Sequence, residues 1–243
     1  MQIQTSHVAI PVPDGQMECY IAHPDVARPF APVILYMDAP GIRPELERFA
    51  GRIAEQGYLC VLPDLYYREG RLRFDLSRGE SELRRMFAAG STLTNEMIVR
   101  DTRGILDHLS KMPLAKSGTG VVGYCMSGQF VVSAAGRFPE RIRAAASLYG
   151  VRIVTDQDDS PHRLIPRIAA ELYLGFAQHD PWVDANVIPT LTKDLGASTV
   201  RHTIETYAGT EHGFCFPERP AYHAQASEAA WSAVFALFER NLQ

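Results

Sequence analysis

Residues 118–138 constrain the fold more than any other stretch of the chain. They read Gly-Thr-Gly-Val-Val-Gly-Tyr-Cys-Met-Ser-Gly-Gln-Phe-Val-Val-Ser-Ala-Ala-Gly-Arg-Phe. Val121 and Val122 form a short apolar run, the mark of a buried strand. Phe130, Val131, Ala134, Ala135 and Phe138 then recur at helical spacing. Between strand and helix lies Gly123-Tyr124-Cys125-Met126-Ser127-Gly128. A strand that turns this tightly into a helix holds its central side chain at a strained position. The residues two before and two after it face each other, so both must be small, and Gly123 and Ser127 meet that need. Gly128 lets the helix lie close to the neighbouring strand. At a helix N-terminus Cys125 meets unpaired N–H groups and the helix dipole, which favour a thiolate. A cysteine after a strand is otherwise commonly a small buried hydrophobe, so its role depends on the rest of the chain.

The flanking sequence alternates strands with helices. Residues 3–10 and 15–22 are β-rich runs around Pro11-Val12-Pro13-Asp14-Gly15, which predicts a hairpin. Residues 23–32 read as a loop. Val33–Met37 is a continuous apolar run, hence a buried parallel strand, and delivers Asp38-Ala39-Pro40-Gly41 at its end. A helix follows to Gly57, then a strand from Tyr58 to Leu62. Residues 68–90 show only a weak helical pattern around Leu83, Met86 and Phe87, and Asn95–Leu109 a clear one. Beyond the 118–138 stretch come a strand from Ile142 to Leu148, a loop over 151–168, and a strand over Leu172–Ala177 presenting Gln178-His179-Asp180. The remainder reads as a helix to about Leu195, a strand from Arg201 to Tyr207 leading to Gly209-Thr210-Glu211-His212-Gly213, and a helix over 222–242. This alternation predicts an α/β fold, a doubly wound, mostly parallel sheet flanked by helices. With no linker or repeat in view, residues 1–243 read as one domain.

Composition excludes several functions. Net charge is −4 and no basic cluster stands out, which argues against nucleic acid or an anionic membrane as partner. No apolar run approaches a membrane span, and the N-terminal residues lack a signal-peptide pattern, so the expectation is a cytoplasmic protein. The four cysteines, Cys19, Cys60, Cys125 and Cys215, show no metal-type spacing, so no metal is expected.

In doubly wound sheets the working residues lie at the carboxyl ends of strands. Cys125, Asp180 and His212 sit there in the order nucleophile, acid, histidine, which is the order of α/β-hydrolases. Strand, tight turn and helix around Cys125 match the nucleophile elbow of that fold, with cysteine in place of serine. In these roles Cys125 attacks a carbonyl carbon, His212 exchanges the proton, and Asp180 fixes the histidine tautomer. The backbone N–H of Met126 is the expected oxyanion donor, with Ala39 as the second. Asp184, just before the apolar Val187 and Ile188, reads as a helix N-cap, His179 as structural, and Cys215 as pocket lining.

The segments Gly123-Tyr124-Cys125-Met126-Ser127-Gly128, Pro63-Asp64-Leu65-Tyr66, Asp180 with Val183, and Gly209-Thr210-Glu211-His212-Gly213-Phe214 together resemble the dienelactone hydrolase family, the carboxymethylenebutenolidases. Similarity runs from about residue 15 to 240. It implies the α/β-hydrolase fold and a cofactor-free cysteine hydrolase that opens an enol-lactone or cleaves a small carboxylic ester, as a monomer or small homo-oligomer. The sequence departs from the family in three places. Asp38 stands where a glutamate usually contacts the resting thiol. Ser127 replaces a glycine. The segment after His212 reads Phe214-Cys215-Phe216-Pro217, with no arginine before Arg219 to meet a substrate carboxylate; Arg84 or Arg85 are the other candidates for that contact. Tyr36, Tyr66, Tyr67, Trp182, Phe214 and Phe216 lie near predicted strand ends and suggest an aromatic pocket for a less charged ester. A thioesterase or general carboxylesterase on the same scaffold is the nearest alternative, and a non-catalytic protein binding a hydrophobic ligand is the alternative of another class.

Overall fold

A computed structural model describes residues 2–242. Two compact units are distinguished, one ending at Gly118 and one beginning at Thr119.

The first unit opens with the predicted hairpin. Strands β1 (Ile3–Val12) and β2 (Gly15–Pro24) pair along their full length, from Ile3 opposite Pro24 to Val12 opposite Gly15, so the turn is the tighter pair Pro13-Asp14. Asp14 is tied down by Arg68 and Arg100, and Arg68 also reaches both oxygens of the buried Asp101. β3 (Pro32–Tyr36) and β4 (Leu59–Pro63) are buried at every position, as their unbroken apolar runs require. They pair in parallel, and β4 pairs antiparallel with β2. The helix between them, α1 (Pro44–Glu55), carries proline and glutamates in its first turn and buries Leu46, Phe49 and Ile53. The weak pattern over 68–90 resolves into two short 3₁₀ turns and α2 (Glu80–Thr92), which buries Met86 and leaves Phe87 exposed. α3 (Asn95–Leu109) starts at Thr94, whose hydroxyl accepts from the Met97 N–H.

The second unit is built on β5 (Thr119–Tyr124), β6 (Ile142–Leu148), β7 (Glu171–His179) and β8 (His202–Glu211), in that spatial order and all parallel. Helix α4 (Gly128–Arg137) joins β5 to β6, α5 (Val187–Gly196) joins β7 to β8, and α6 (Ala224–Asn241) closes the unit. The expected loop over 151–168 contains a 3₁₀ segment, Pro161–Arg167. His223 caps α6 by accepting from the Ala226 N–H, and Glu171 holds the other end of that helix through Arg240 and Asn241. Asp184 is not the side-chain cap expected of it. Its backbone carbonyl accepts from Val187, and the cap position of α5 belongs to Asn186.

β7 and β8 run further than their apolar patterns suggest. Pairing continues past a register shift between Ala177 and His179 and ends with His179 opposite Glu211. Buried side chains no longer enforce alternation there, and backbone and polar side-chain contacts hold the strands together. The Gly209 N–H donates to the Gln178 side chain, and the Thr210 hydroxyl accepts from the Gln178 N–H.

Candidate active site

The strand ends of the second unit deliver four residues: Cys125 after β5, Tyr149 after β6, Asp180 after β7 and His212 after β8. Each arrives for a local reason.

Cys125 has φ 54°, a left-handed conformation that a residue with a Cβ adopts at a cost of about 1–3 kcal/mol. Surrounding contacts hold it there. Its carbonyl accepts from the Val151 N–H at 3.0 Å. A Cβ on Gly123 would lie 3.0 Å from the Ser127 Cβ and 2.9 Å from Val131 Cγ2, so the close approach expected at those two positions is present. A Cβ on Gly128 would fall 2.2 Å from the Gly150 Cα, which leaves room for glycine alone where α4 crosses the end of β6. Cys125 is half-buried, whereas Cys19, Cys60 and Cys215 are buried. Burial pushes the Cys19 and Cys60 thiols far above their ordinary range.

Asp180 and His212 are neighbours because the last paired residues of β7 and β8, His179 and Glu211, immediately precede them. The His212 Nδ1 lies 2.8 Å from the Asp180 Oδ2. The other carboxylate oxygen accepts from the Trp182 N–H at 3.0 Å. Both side chains are nearly out of solvent, at 11% and 3% exposure, so the bond is shielded. The Nε2 atom is also buried and makes no hydrogen bond of ordinary geometry among the described residues. Cys125 is the second neighbour that acts on the imidazole. Burial alone would lower the histidine pKa; Asp180 and Cys125 outweigh it and raise the imidazole from 6.5 to about 9. These contacts favour the protonated imidazole. Such a group can give a proton to a leaving oxygen and take one from water.

Beside this pair lies an open cleft lined by His179, Asp180, Pro181, Trp182, Glu211 and His212. His179, expected to be structural, is exposed on its wall. Trp182, expected in the pocket, is 54% exposed there. Phe214 and Phe216 are fully buried instead: Phe214 packs between Tyr149 and Tyr207, and Phe216 against Tyr124. Cys215 is buried between them, its carbonyl accepting from the Ser227 hydroxyl, so it is core. Met126, the expected oxyanion donor, is buried directly after Cys125 in the turn that starts α4.

The remaining expected residues belong to the first unit. Asp38 is fully buried and paired with Arg43 through both oxygens, at 2.6 and 3.2 Å. Ala39 is buried, and its carbonyl accepts from the Tyr66 hydroxyl. Tyr36 is a core residue bonded to Thr102, and Tyr67 is bonded to Asp101. Arg84 and Arg85 pair with Glu80 and Glu82 along α2. No cluster of His, Cys, Asp and Glu able to hold a metal occurs among the described residues.

Sequence reasoning missed Tyr149 and Gly150. The signal was present, because Tyr149-Gly150 follows a predicted strand directly, but neither is a reactive type.

Comparison with known proteins identifies the family. The family model described as the dienelactone hydrolase family matches residues 17–242. A Synechocystis protein named "Putative carboxymethylenebutenolidase" is 26% identical over 251 residues, covering 100% of this chain and 99% of the relative. A Bradyrhizobium protein named "Probable 2-oxo-3-(5-oxofuran-2-ylidene)propanoate lactonase" is 25% identical, covering 88% of this chain and 85% of its own. Among solved structures, one titled "Putative Dienelactone Hydrolase" from Klebsiella pneumoniae superposes with TM-score 0.88 at 21% identity, covering 99% and 100% of the two chains. The fold is thus the mostly parallel, doubly wound sheet of the α/β-hydrolases.

Proposed function

This chain belongs to the dienelactone hydrolase family, and we propose that it hydrolyses a small ester or lactone through Cys125, His212 and Asp180. Cys125 attacks the carbonyl carbon as the thiolate. The C–S bond forms as the carbonyl π electrons move to oxygen, and the Met126 N–H donates to that oxyanion. When the oxyanion collapses, the C–O bond breaks and His212 gives its Nε2 proton to the departing oxygen. In a lactone that oxygen stays tethered to the acyl group, so ring opening and acylation are one event. His212, now neutral, takes a proton from water; the hydroxide adds to the thioester, and Cys125 leaves as thiolate. Asp180 keeps Nδ1 protonated throughout and thereby leaves Nε2 to do the exchange. The parts expected of Ala39, as second oxyanion donor, and Asp38, as partner of the resting thiol, rest on the sequence resemblance.

The observation that carries this reading is the His212–Asp180 pair, held at 2.8 Å with Nε2 buried and the imidazole raised by both Asp180 and Cys125. The cleft beside it offers Trp182 and Pro181 and, apart from Asp180 itself, one carboxylate, Glu211. That lining supports an uncharged substrate over a dicarboxylate. The test is turnover of a dienelactone and of a small aryl ester by wild type and Cys125→Ala side by side. Turnover of either that vanishes in the variant is expected. Retention in Cys125→Ala overturns the nucleophile assignment. Aryl-ester turnover without dienelactone turnover assigns the less charged substrate.

A further inference from the structure

We infer that Tyr149 is a positioning residue, whose buried ring holds the imidazole of His212 in line with Cys125. The inference rests on the nucleophile reading above but on different observations.

The ring of Tyr149 meets that of His212 edge to face, with centroids 5.1 Å apart and planes at 66°. Asp180 anchors only Nδ1. Contacts made at the ring nitrogens lie in the imidazole plane and leave the ring free to tilt about them; a ring packed across its face or edge removes the tilt. Tyr149 is itself wedged, fully buried, against Phe214 at 5.2 Å and Tyr124 at 5.9 Å. Tyr124 directly precedes Cys125, so one aromatic cluster touches both the elbow and the histidine.

The backbone shows the same coupling. Tyr149 has φ 38°, a conformation that bulky residues avoid and that persists only where neighbours impose it. Its N–H donates to the Gly175 carbonyl at 2.6 Å. The next residue, Gly150, touches Gly128 at the start of α4, and the one after, Val151, donates to the Cys125 carbonyl. Three consecutive residues thus brace the histidine ring, the elbow helix and the nucleophile's own backbone. A glycine would relieve the strain at 149 at once; the tyrosine ring is what a glycine cannot supply.

The test compares Tyr149→Phe, which keeps the ring, with Tyr149→Leu, which removes it, after checking by thermal unfolding that both fold. Two readouts are taken: aryl-ester kinetics, and the pH profile of Cys125 alkylation by iodoacetamide. Tyr149→Leu is expected to lower kcat on the order of 10²-fold with little change in KM, since a misaligned base loses transition-state geometry and leaves binding alone. Its alkylation profile moves to higher pH, because the thiol loses its aligned imidazolium. Tyr149→Phe stays within about threefold of wild type in both. A folded Tyr149→Leu with wild-type kcat and an unmoved alkylation profile overturns the inference. So does a Tyr149→Phe variant as impaired as Tyr149→Leu, which would assign the effect to the hydroxyl. Cys125→Ala in the same assay separates the two readings. If that variant keeps its turnover, the nucleophile assignment fails and the positioning role with it. If its turnover vanishes while Tyr149→Leu is unimpaired, the positioning role alone fails.

Discussion

Gly128→Ala tests the packing that creates the elbow. Helix propensity by itself favours the change, because alanine in place of glycine at a helical position gains about 1 kcal/mol. Gly128 has ordinary helical dihedrals, φ −56° and ψ −41°, so no backbone strain opposes it. Sterics do. The new Cβ would fall 2.2 Å from the Gly150 Cα and 2.6 Å from the Ser147 Oγ. Carbon atoms in contact rest at about 3.5–4.0 Å, so α4 and the residues after β6 must separate by more than ~1 Å. The main obstacle is backbone, which cannot rotate away as a side chain can. Overpacking of this kind costs about 3 kcal/mol, leaving a net loss of roughly 2 kcal/mol after the propensity gain. For a chain of this length that lowers Tm by ~4–8 °C. Urea unfolding should show a lower midpoint at unchanged slope. Gly51→Ala in α1 is the matched control: nothing lies within 4 Å of its Cβ position, so it should be stabilised by about 0.5–1 kcal/mol. A Gly128→Ala protein within about 0.5 kcal/mol of wild type would refute the steric argument.

Two further outcomes follow from the His212 environment. Asp180→Asn should lower kcat on the order of 10³-fold or more, because an amide oxygen holds the tautomer less firmly and supplies no charge; steady-state kinetics with near-normal rates would remove Asp180 from the acid role. The raised imidazole also links stability to pH. Its folded pKa of about 9 exceeds the ordinary 6.5, so the folded state binds the proton more tightly than the unfolded chain. The histidine's stabilisation is present below about pH 6.5 and is lost as pH rises through about 9. Unfolding free energies measured across that window should fall in wild type and stay flat, by comparison, in His212→Gln. Equal slopes in the two proteins would show that another group carries the linkage.

The positions of Cys125, Asp180 and His212 at strand ends were legible in the chain, for reasons that are local. Val121–Val122 and Leu172–Ala177 read as buried strands, and the cluster of small residues between strand and helix reads as a tight turn; both are present. Chain order alone suggests the proposed roles of nucleophile, acid and base, without any knowledge of distance. Family membership was likewise readable, since it rests on short runs of residue identities.

Other features depend on residues far apart in sequence, and local pattern carries no trace of them. The pairing of His179 with Glu211 is set by a register shift within polar sequence, where hydrophobic alternation gives no signal. Whether an aromatic lines a cleft or fills the core depends on what packs over it. Phe214 and Phe216 are buried by Tyr149, Tyr207 and Tyr124, whereas Trp182, equally apolar, is left at the surface. Arg43, five residues away from Asp38, claims that carboxylate only once the chain turns into α1. Tyr149 is the clearest case. Its type announces no chemistry, and only the three-dimensional convergence of two strand ends sets its ring against His212. Residue type and spacing specify which groups are reactive and on which elements they ride, whereas ring contacts, register and burial arise from long-range packing.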